Sequence, residues 1–380
     1  TKVLESMQNG CKIPFTGLAR QHVNLKSQIL SSIDDVLSSG QLMNGKYTTE
    51  FEDWLSKKNK SYHAISTHSG TCALEIIAQF YFRVVKEKFK KSDPTVLIPT
   101  FTYKATANAF LKAGWKVLLG DVDANGILDM DQAIKKYRYF DLAVPVGLYG
   151  QSLKNYYFQD IWTYCSLAGI TIIEDAAQHW LSENCTRIGD SSAISFDPMK
   201  NLPNIGNGGA IVTHRYDLYR FAKDQVNNNN SEFNFQTPGS NVRMSEVDCA
   251  QMLVKSQHID SWQKRRGDIA SYWMERLNEA GIRTLIDRKN FDDHCYHKFV
   301  IDVDNRNQLQ DRLKYRGIET KIHYQTPLHE MSCFANSTKP DILSNASTLS
   351  RCVLSLPIYP ELTDLEIEYI ADQVIDCNAE

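Results

Sequence analysis

Residues 95–120, TVLIPTFTYKATANAFLKAGWKVLLG, decide the fold. Thr95–Ile98 is a short apolar run that reads as a strand, Lys104–Lys112 as a helix, and Lys116–Leu119 as the next strand. Upstream, Val23, Leu25, Ile29, Leu30, Ile33, Val36 and Leu37 recur at helical spacing, and Ser38-Ser39-Gly40 ends that helix. A loop at Asn44-Gly45 leads to a helix carrying Phe51, Trp54 and Leu55. A short strand follows around His63–Ser66. Ser69-Gly70-Thr71 then opens a helix with Leu74, Ile77 and Ala78 on its apolar face. Downstream, Met130–Tyr137 reads as a helix. Leu142–Val146 and Thr171–Ile173 are unbroken apolar runs, the pattern of strands buried on both faces of a parallel sheet. Alternating strands and helices predict an α/β fold, a large domain whose mostly parallel sheet is flanked by helices.

After Gly209 the pattern changes. Ala210–Thr213 is one more strand, and Asn227–Asn230 with Thr237-Pro238-Gly239 forms a polar loop. A mostly helical stretch runs from Ser245 to Ala280. Strands at Lys298–Val303 and Glu319–His323, with helices at Asn307–Arg316 and Leu365–Asp376, predict a smaller C-terminal α+β domain. The expected division is 1–255 and 256–380, with residues 1–25 free to pack elsewhere.

Composition narrows the function. Forty-two basic and 45 acidic residues give a net charge of −3, which predicts neither nucleic-acid nor membrane partners. The nine cysteines are scattered with no CxxC pair, so neither a zinc site nor a disulfide framework is expected and the thiols read as reduced, cytosolic ones. No apolar run approaches the roughly 20 residues that span a bilayer. TKVLESMQNGCK at the N-terminus lacks the apolar core of a signal peptide.

Four segments carry candidate chemistry. Ser195-Phe196-Asp197-Pro198-Met199-Lys200-Asn201-Leu202 precedes the Gly-rich turn Gly206-Asn207-Gly208-Gly209. A lysine there is either one more solvated surface charge or, beside a cofactor, an amine with a lowered pKa suited to Schiff-base chemistry. Ile172-Ile173-Glu174-Asp175-Ala176-Ala177-Gln178 ends a buried strand in carboxylates. Asp175 either caps a following helix or points into a site at the carboxyl end of the sheet. Ser69-Gly70-Thr71 is a plain N-cap or an anion cradle at a helix N-terminus. Tyr103, just past a strand end, either packs or stacks on a flat ring.

Together these segments resemble the DegT/DnrJ/EryC1/StrS family of sugar aminotransferases, members of the fold-type I pyridoxal-phosphate enzymes. The likeness runs from Ile13 to Ile370. It includes Gly120-Asp121-Val122-Asp123, Asn241-Val242-Arg243-Met244-Ser245-Glu246 and His323-Tyr324 with Pro327-Leu328-His329. The resemblance implies that Lys200 is the Schiff-base lysine and proton shuttle, with Asp175 at the pyridinium nitrogen of pyridoxal 5'-phosphate and Gln178 at the ring's 3-hydroxyl. Gly70, Thr71, Cys72 and Ser195 would surround the phosphate, and Tyr103 would stack on the ring. Asn241 would reach the phosphate of the neighbouring subunit, giving a homodimer with shared active sites. Tyr324 and His329 would contact substrate.

The implied reaction moves an amino group from an amino acid, by resemblance L-glutamate, to a keto-sugar, nucleotide-linked, with pyridoxamine 5'-phosphate formed between the two halves. Its product would be a deoxyamino sugar for a surface polysaccharide or a natural product. A pyridoxamine-dependent sugar dehydratase on the same fold would carry His in place of Lys200, and a non-catalytic regulator would be free to lose Lys200 or Asp175. The sequence departs from the family pattern at His179-Trp180-Leu181-Ser182-Glu183, at Asp197-Pro198 and at Asn207, and Tyr81–Lys91 is longer and more basic. Those differences bear on the shape of the sugar pocket.

Overall fold

The computed structural model describes residues 12–153, 159–182, 185–186, 188–229, 238–286, 293–337 and 343–379. Cys11, Glu183, Asn230 and Thr237, read above as parts of the terminus and of loops, lie outside these residues. The chain opens with helices α1 (Leu18–Ser39) and α2 (Lys46–Lys58), then strand β1 (His63–Thr67) and α3 (Gly70–Phe89). Next come β2 (Thr95–Pro99), α4 (Ala105–Lys112), β3 (Lys116–Gly120), α5 (Met130–Tyr137) and β4 (Leu142–Ala143). After α6 (Gln159–Leu167) the chain forms β5 (Thr171–Ile172), β6 (Glu174–Asp175), β7 (Ser191–Ser195) and β8 (Gly209–Thr213).

Two four-stranded ladders are registered, β3-β2-β4-β5 and β6-β7-β8-β1. They continue one another. Ile173 N donates to Ala143 O and Asp175 N to Pro145 O, both at 3.1 Å, and Val146 bridges Asp175 in parallel. Pro145 has no N–H to give, so the apolar run 142–146 is a ladder only over Leu142–Ala143. Of all these strands β8 alone is reversed, running antiparallel to both β1 and β7. Successive residues of β8 enter different cores. Ile211 joins Ile65, Ile77 and Phe110, whereas Ala210 and Val212 join Phe51, Phe196 and Met252. Both faces are therefore covered, as the unbroken apolar runs predict.

The remainder contains α7 (Tyr216–Val226), α8 (Glu246–Ser256), α9 (Ile259–Glu279), β9 (Arg283–Thr284) and β10 (Phe299–Asp302). It ends with α10 (Arg306–Tyr315), α11 (Ser344–Cys352), β11 (Val353–Leu356) and α12 (Asp364–Ala379). Strands β9–β11 form an antiparallel sheet in the order β11-β10-β9. Its core unites Trp273, Phe299, Leu354 and Val374 with Ile13 and Ile318, and Ile13 bridges Ile318.

One expectation needs correction. Glu319–His323 is not a strand. Glu319 N bonds to Ile13 O while Lys321 exchanges both backbone bonds with Ser355, so the segment pairs with two different partners and builds no ladder. The mostly helical stretch 245–280 is present as expected, divided into two helices. Ser245 and Asp248 form a capping box at the start of α8, and His258 N turns back to Lys255 O before α9 begins at Ile259.

Candidate active site

The parallel strands β1, β2, β6 and β7 deliver their carboxyl ends to one edge of the sheet, where open α/β sheets bind ligands. A cleft of about 410 Å³ lies there. Ser69, Gly70 and Thr71 enter it after β1, Thr102 and Tyr103 after β2, Asp175 and Gln178 from β6, and Ser195 and Lys200 after β7.

The wall at Gly70 is built by close backbone approach. A Cβ on Gly70 would lie 2.8 Å from Ser195 Cβ, and one on Gly209 would lie 2.3 Å from the Ser69 carbonyl carbon. Only glycine allows β7, β8 and the start of α3 to meet this tightly. Ser69 caps α3, its Oγ accepting from Cys72 N at 3.1 Å. The Gly70 and Thr71 N–H groups at this helix start have no intrahelical acceptor, and they line the cleft. Cys72 is not among the residues that line it, and its N–H is taken by the cap.

Asp175 is 4% exposed. Its Oδ2 accepts from Thr106 Oγ1 at 2.7 Å and its Oδ1 from Ala177 N at 3.1 Å. Residues 176–181 are a turn, so Asp175 caps no helix. Behind it, Glu174 is buried with its own partners: Oε2 lies 3.0 Å from His179 Nε2, and Oε1 accepts from Ile188 N and Gly189 N, each at 3.2 Å. The unusual His179 is thus tied into the support of the strand end.

Lys200 follows a tight turn in which its N–H bonds to Asp197 O and Met199 N bonds to Asp197 Oδ1 at 2.9 Å. Desolvation pushes its ammonium below the ordinary lysine value of 10.5, with Asp175 the strongest of the groups opposing the shift. An amine so placed loses its proton more readily than a surface lysine.

Gln178 is fixed at both ends of its amide: Oε1 accepts from Tyr149 N at 2.8 Å, and Nε2 donates to Tyr324 Oη at 3.0 Å. Tyr103 is 53% exposed, with its ring 6.1 Å from that of Tyr324. A flat ligand therefore has an open aromatic face beside it.

The profile of the DegT/DnrJ/EryC1/StrS aminotransferase family matches residues 23–375. The chain belongs to this family. A pleiotropic regulatory protein of Geobacillus stearothermophilus is 28% identical over 375 residues, 96% of this chain and 98% of that one. The dTDP-3-amino-3,4,6-trideoxy-alpha-D-glucose transaminase of Streptomyces venezuelae is also 28% identical, with 96% and 95% covered. Among solved structures, DesV of S. venezuelae superposes with a TM-score of 0.87 at 27% identity, covering 97% of this chain and 99% of that one. Within the DegT/DnrJ/EryC1/StrS fold, the chain is an aminotransferase with a nearly full-length counterpart.

Not every residue singled out in the sequence reaches the cleft of this subunit. Tyr324 does, half-buried and bonded to Gln178. Asn241 does not line it, and is exposed. His329 does not line it either, because its ring is spent on structure. Nδ1 lies 2.8 Å from Thr100 Oγ1 and Nε2 lies 3.2 Å from Ser347 Oγ.

Sequence reasoning missed Thr106, His297, Lys298 and His323. A signal existed for Lys298, a charged residue at the head of the apolar strand 298–303. Nothing in the sequence says that β10 aims this end at Lys200. Burial and the neighbouring lysines Lys298 and Lys200 hold both His297 and His323 well below the ordinary imidazole value, so both rings are neutral near pH 7. Among the described residues, no helix is long and apolar enough to cross a membrane.

Proposed function

We propose that this aminotransferase uses pyridoxal 5'-phosphate to move the amino group of L-glutamate to a nucleotide-linked keto-sugar. One observation carries the reading: Lys200 and Asp175 face a single cleft whose third side is the N-terminus of α3. The Cβ-free cradle at Gly70 fits a phosphate, and an acid, an amine and an aromatic lining the same cleft suit a pyridine ring.

When bound, the cofactor supplies an electron-poor ring that stabilises a carbanion at the donor's Cα. The chain's residues do the rest. Gly70 and Thr71 N–H groups, with the Ser195 hydroxyl, would take the phosphate, favoured by the α3 dipole. Asp175, held by Thr106 and Ala177, would present its carboxyl group to the ring nitrogen. Gln178 would meet the 3-hydroxyl and Tyr103 would cover the ring. Lys200 would hold the cofactor's aldehyde through Nζ and would serve as acid and base for the proton on the donor's Cα. Tyr324 lies where it can meet the substrate.

Asn241, exposed and outside its own subunit's cleft, is suited to complete the phosphate site of a partner subunit, which makes the working unit a homodimer. A cytoplasmic setting suits the cysteines, those described being free. The retained Lys200 and Asp175 favour amine transfer over dehydration and over a purely regulatory role.

The test is a panel of keto-sugars, nucleotide-linked and free, offered with L-glutamate while 2-oxoglutarate release is followed. Turnover with a nucleotide-linked keto-sugar is expected. Turnover only with ketones that are not sugars would overturn the acceptor half of the reading.

A further inference from the structure

Lys298 has no role in the chemistry above, yet it shares the cleft with Lys200. The residue is 6% exposed. Its Nζ reaches Met199 O at 3.5 Å, the limit of a hydrogen bond, and lies 5.0 Å from the centre of the Phe15 ring. Lys321 Nζ lies over the same ring at 5.2 Å and approaches Met199 Sδ at 3.6 Å. Two lysine side chains therefore converge on one aromatic ring, in the cleft that Lys200 also lines. Among the described residues, no carboxylate comes within salt-bridge distance of Lys298.

A buried cation without a counter-ion is costly, and like charges gathered around it raise the cost. The fold tolerates this arrangement in the lining of a ligand cleft, where an incoming anion can supply the missing charge. The position of the cluster says which part of a ligand it would meet. Lys298 N donates to Tyr149 O at 3.0 Å, and Tyr149 N donates to Gln178 Oε1. The backbone of Lys298 is thus held at the turn beside Gln178 and its Nζ reaches toward Met199 O, next to Lys200, whereas the anion cradle of Gly70 and Thr71 belongs to the loop after β1. A second, separate anionic group is called for.

We propose that Lys298, assisted by Lys321, is the oxyanion-binding residue for the substrates, holding the carboxylate of the amino donor. The inference rests on the aminotransferase reading of the cleft. It makes Lys298 a specificity residue, selecting an acidic amine donor over neutral amines. The same ammonium could instead meet a carboxylate or phosphate on the keto acceptor, and the two half-reactions tell these sources apart.

The experiment uses the cofactor-loaded enzyme and three variants, Lys298→Met, Lys298→Arg and Lys321→Met. Lys298→Met keeps the length of the stem and removes the charge, and Lys321 is exposed, so that variant leaves the core unchanged. Binding of glutarate, a dicarboxylate that cannot react, is measured by calorimetry. The donor half-reaction with L-glutamate and the acceptor half-reaction are then timed separately. The expected result is at least a ten-fold weaker affinity for glutarate and for L-glutamate in Lys298→Met, with about 1.4 kcal/mol lost per ten-fold. Lys298→Arg should recover part of it, and Lys321→Met should show a smaller loss. The rate at saturating donor should change less than the affinity. A defect confined to the acceptor half would reassign the anion to the acceptor and overturn the donor claim. Unchanged glutarate affinity together with unchanged half-reactions would overturn the subsite. Glutarate binding is read without turnover, so a failure of the transamination reading would show separately, as no amine transfer by the unaltered enzyme.

Discussion

Thr106 Oγ1 donates to Asp175 Oδ2 at 2.7 Å, tying the first turn of α4 to the carboxylate at the end of β6. The bond fixes the orientation of a buried acid that lines the same cleft as Lys200. Replacing Thr106 with Val keeps the shape and removes the donor, at a cost of about 1 kcal/mol. The expected outcome is a roughly five-fold slower donor half-reaction with attachment at Lys200 intact. Asp175→Asn removes the charge itself and should slow the same half-reaction by about 100-fold or more, the scale of losing a preorganised electrostatic partner. Stopped-flow absorbance on the loaded enzyme reads both.

Desolvation lowers the Lys200 and Lys298 ammonium groups below 10.5. In the unfolded chain both hold their protons up to about 10.4. Between the folded and unfolded values the unfolded state binds more protons, so the stability of the cofactor-free protein rises with pH across that window. Below the folded values both states are protonated, and the full cost of burying two charges is present. Lys298→Met is therefore expected to raise the melting temperature of the cofactor-free protein near neutral pH, a gain that shrinks as pH approaches 10. Calorimetric scans across that range check the sign. An unchanged or lowered melting temperature at pH 7 would show the ammonium is not strained.

Gly70→Ala places a methyl group 2.8 Å from Ser195 Cβ and 3.2 Å from Ile194 O. The cradle must then widen. The variant is expected to bind pyridoxal 5'-phosphate at least ten-fold more weakly, while its affinity for pyridoxal, which has no phosphate, changes little. Fluorescence titration with both compounds separates a lost phosphate site from general misfolding.

His329 joins Thr100 to Ser347 through both ring nitrogens. Its replacement by Ala should cost about 1–3 kcal/mol of stability by leaving partners unsatisfied. Saturation with donor and acceptor should be close to unchanged. A selective rise in acceptor KM with normal melting would instead return His329 to the substrate.

Much of the architecture was legible because its signals are local. Apolar runs such as Thr95–Ile98 and the Ser69 cap write strand and helix directly into the chain, and Lys200, Asp175 and Gln178 follow strand ends that could be read in order. What escaped depends on contacts between distant segments. Glu319–His323 carries the β-branched Thr320 and Ile322 in alternation with longer polar residues, which suggests a strand, yet its partners are Ile13 and Ser355, far apart in sequence. His329 looks like a free imidazole until Thr100 and Ser347 are seen beside it. Lys298 enters the cleft only because β10 packs against the turn at Tyr149.

The most direct test of the whole account is to load the protein with pyridoxal 5'-phosphate, reduce it with borohydride and map the modified peptide by mass spectrometry. The account predicts one adduct per chain, on Lys200, absent from Lys200→Ala and lost when L-glutamate is added before reduction. An adduct carried chiefly by Lys298 or another lysine, or no adduct at saturating cofactor, would contradict it.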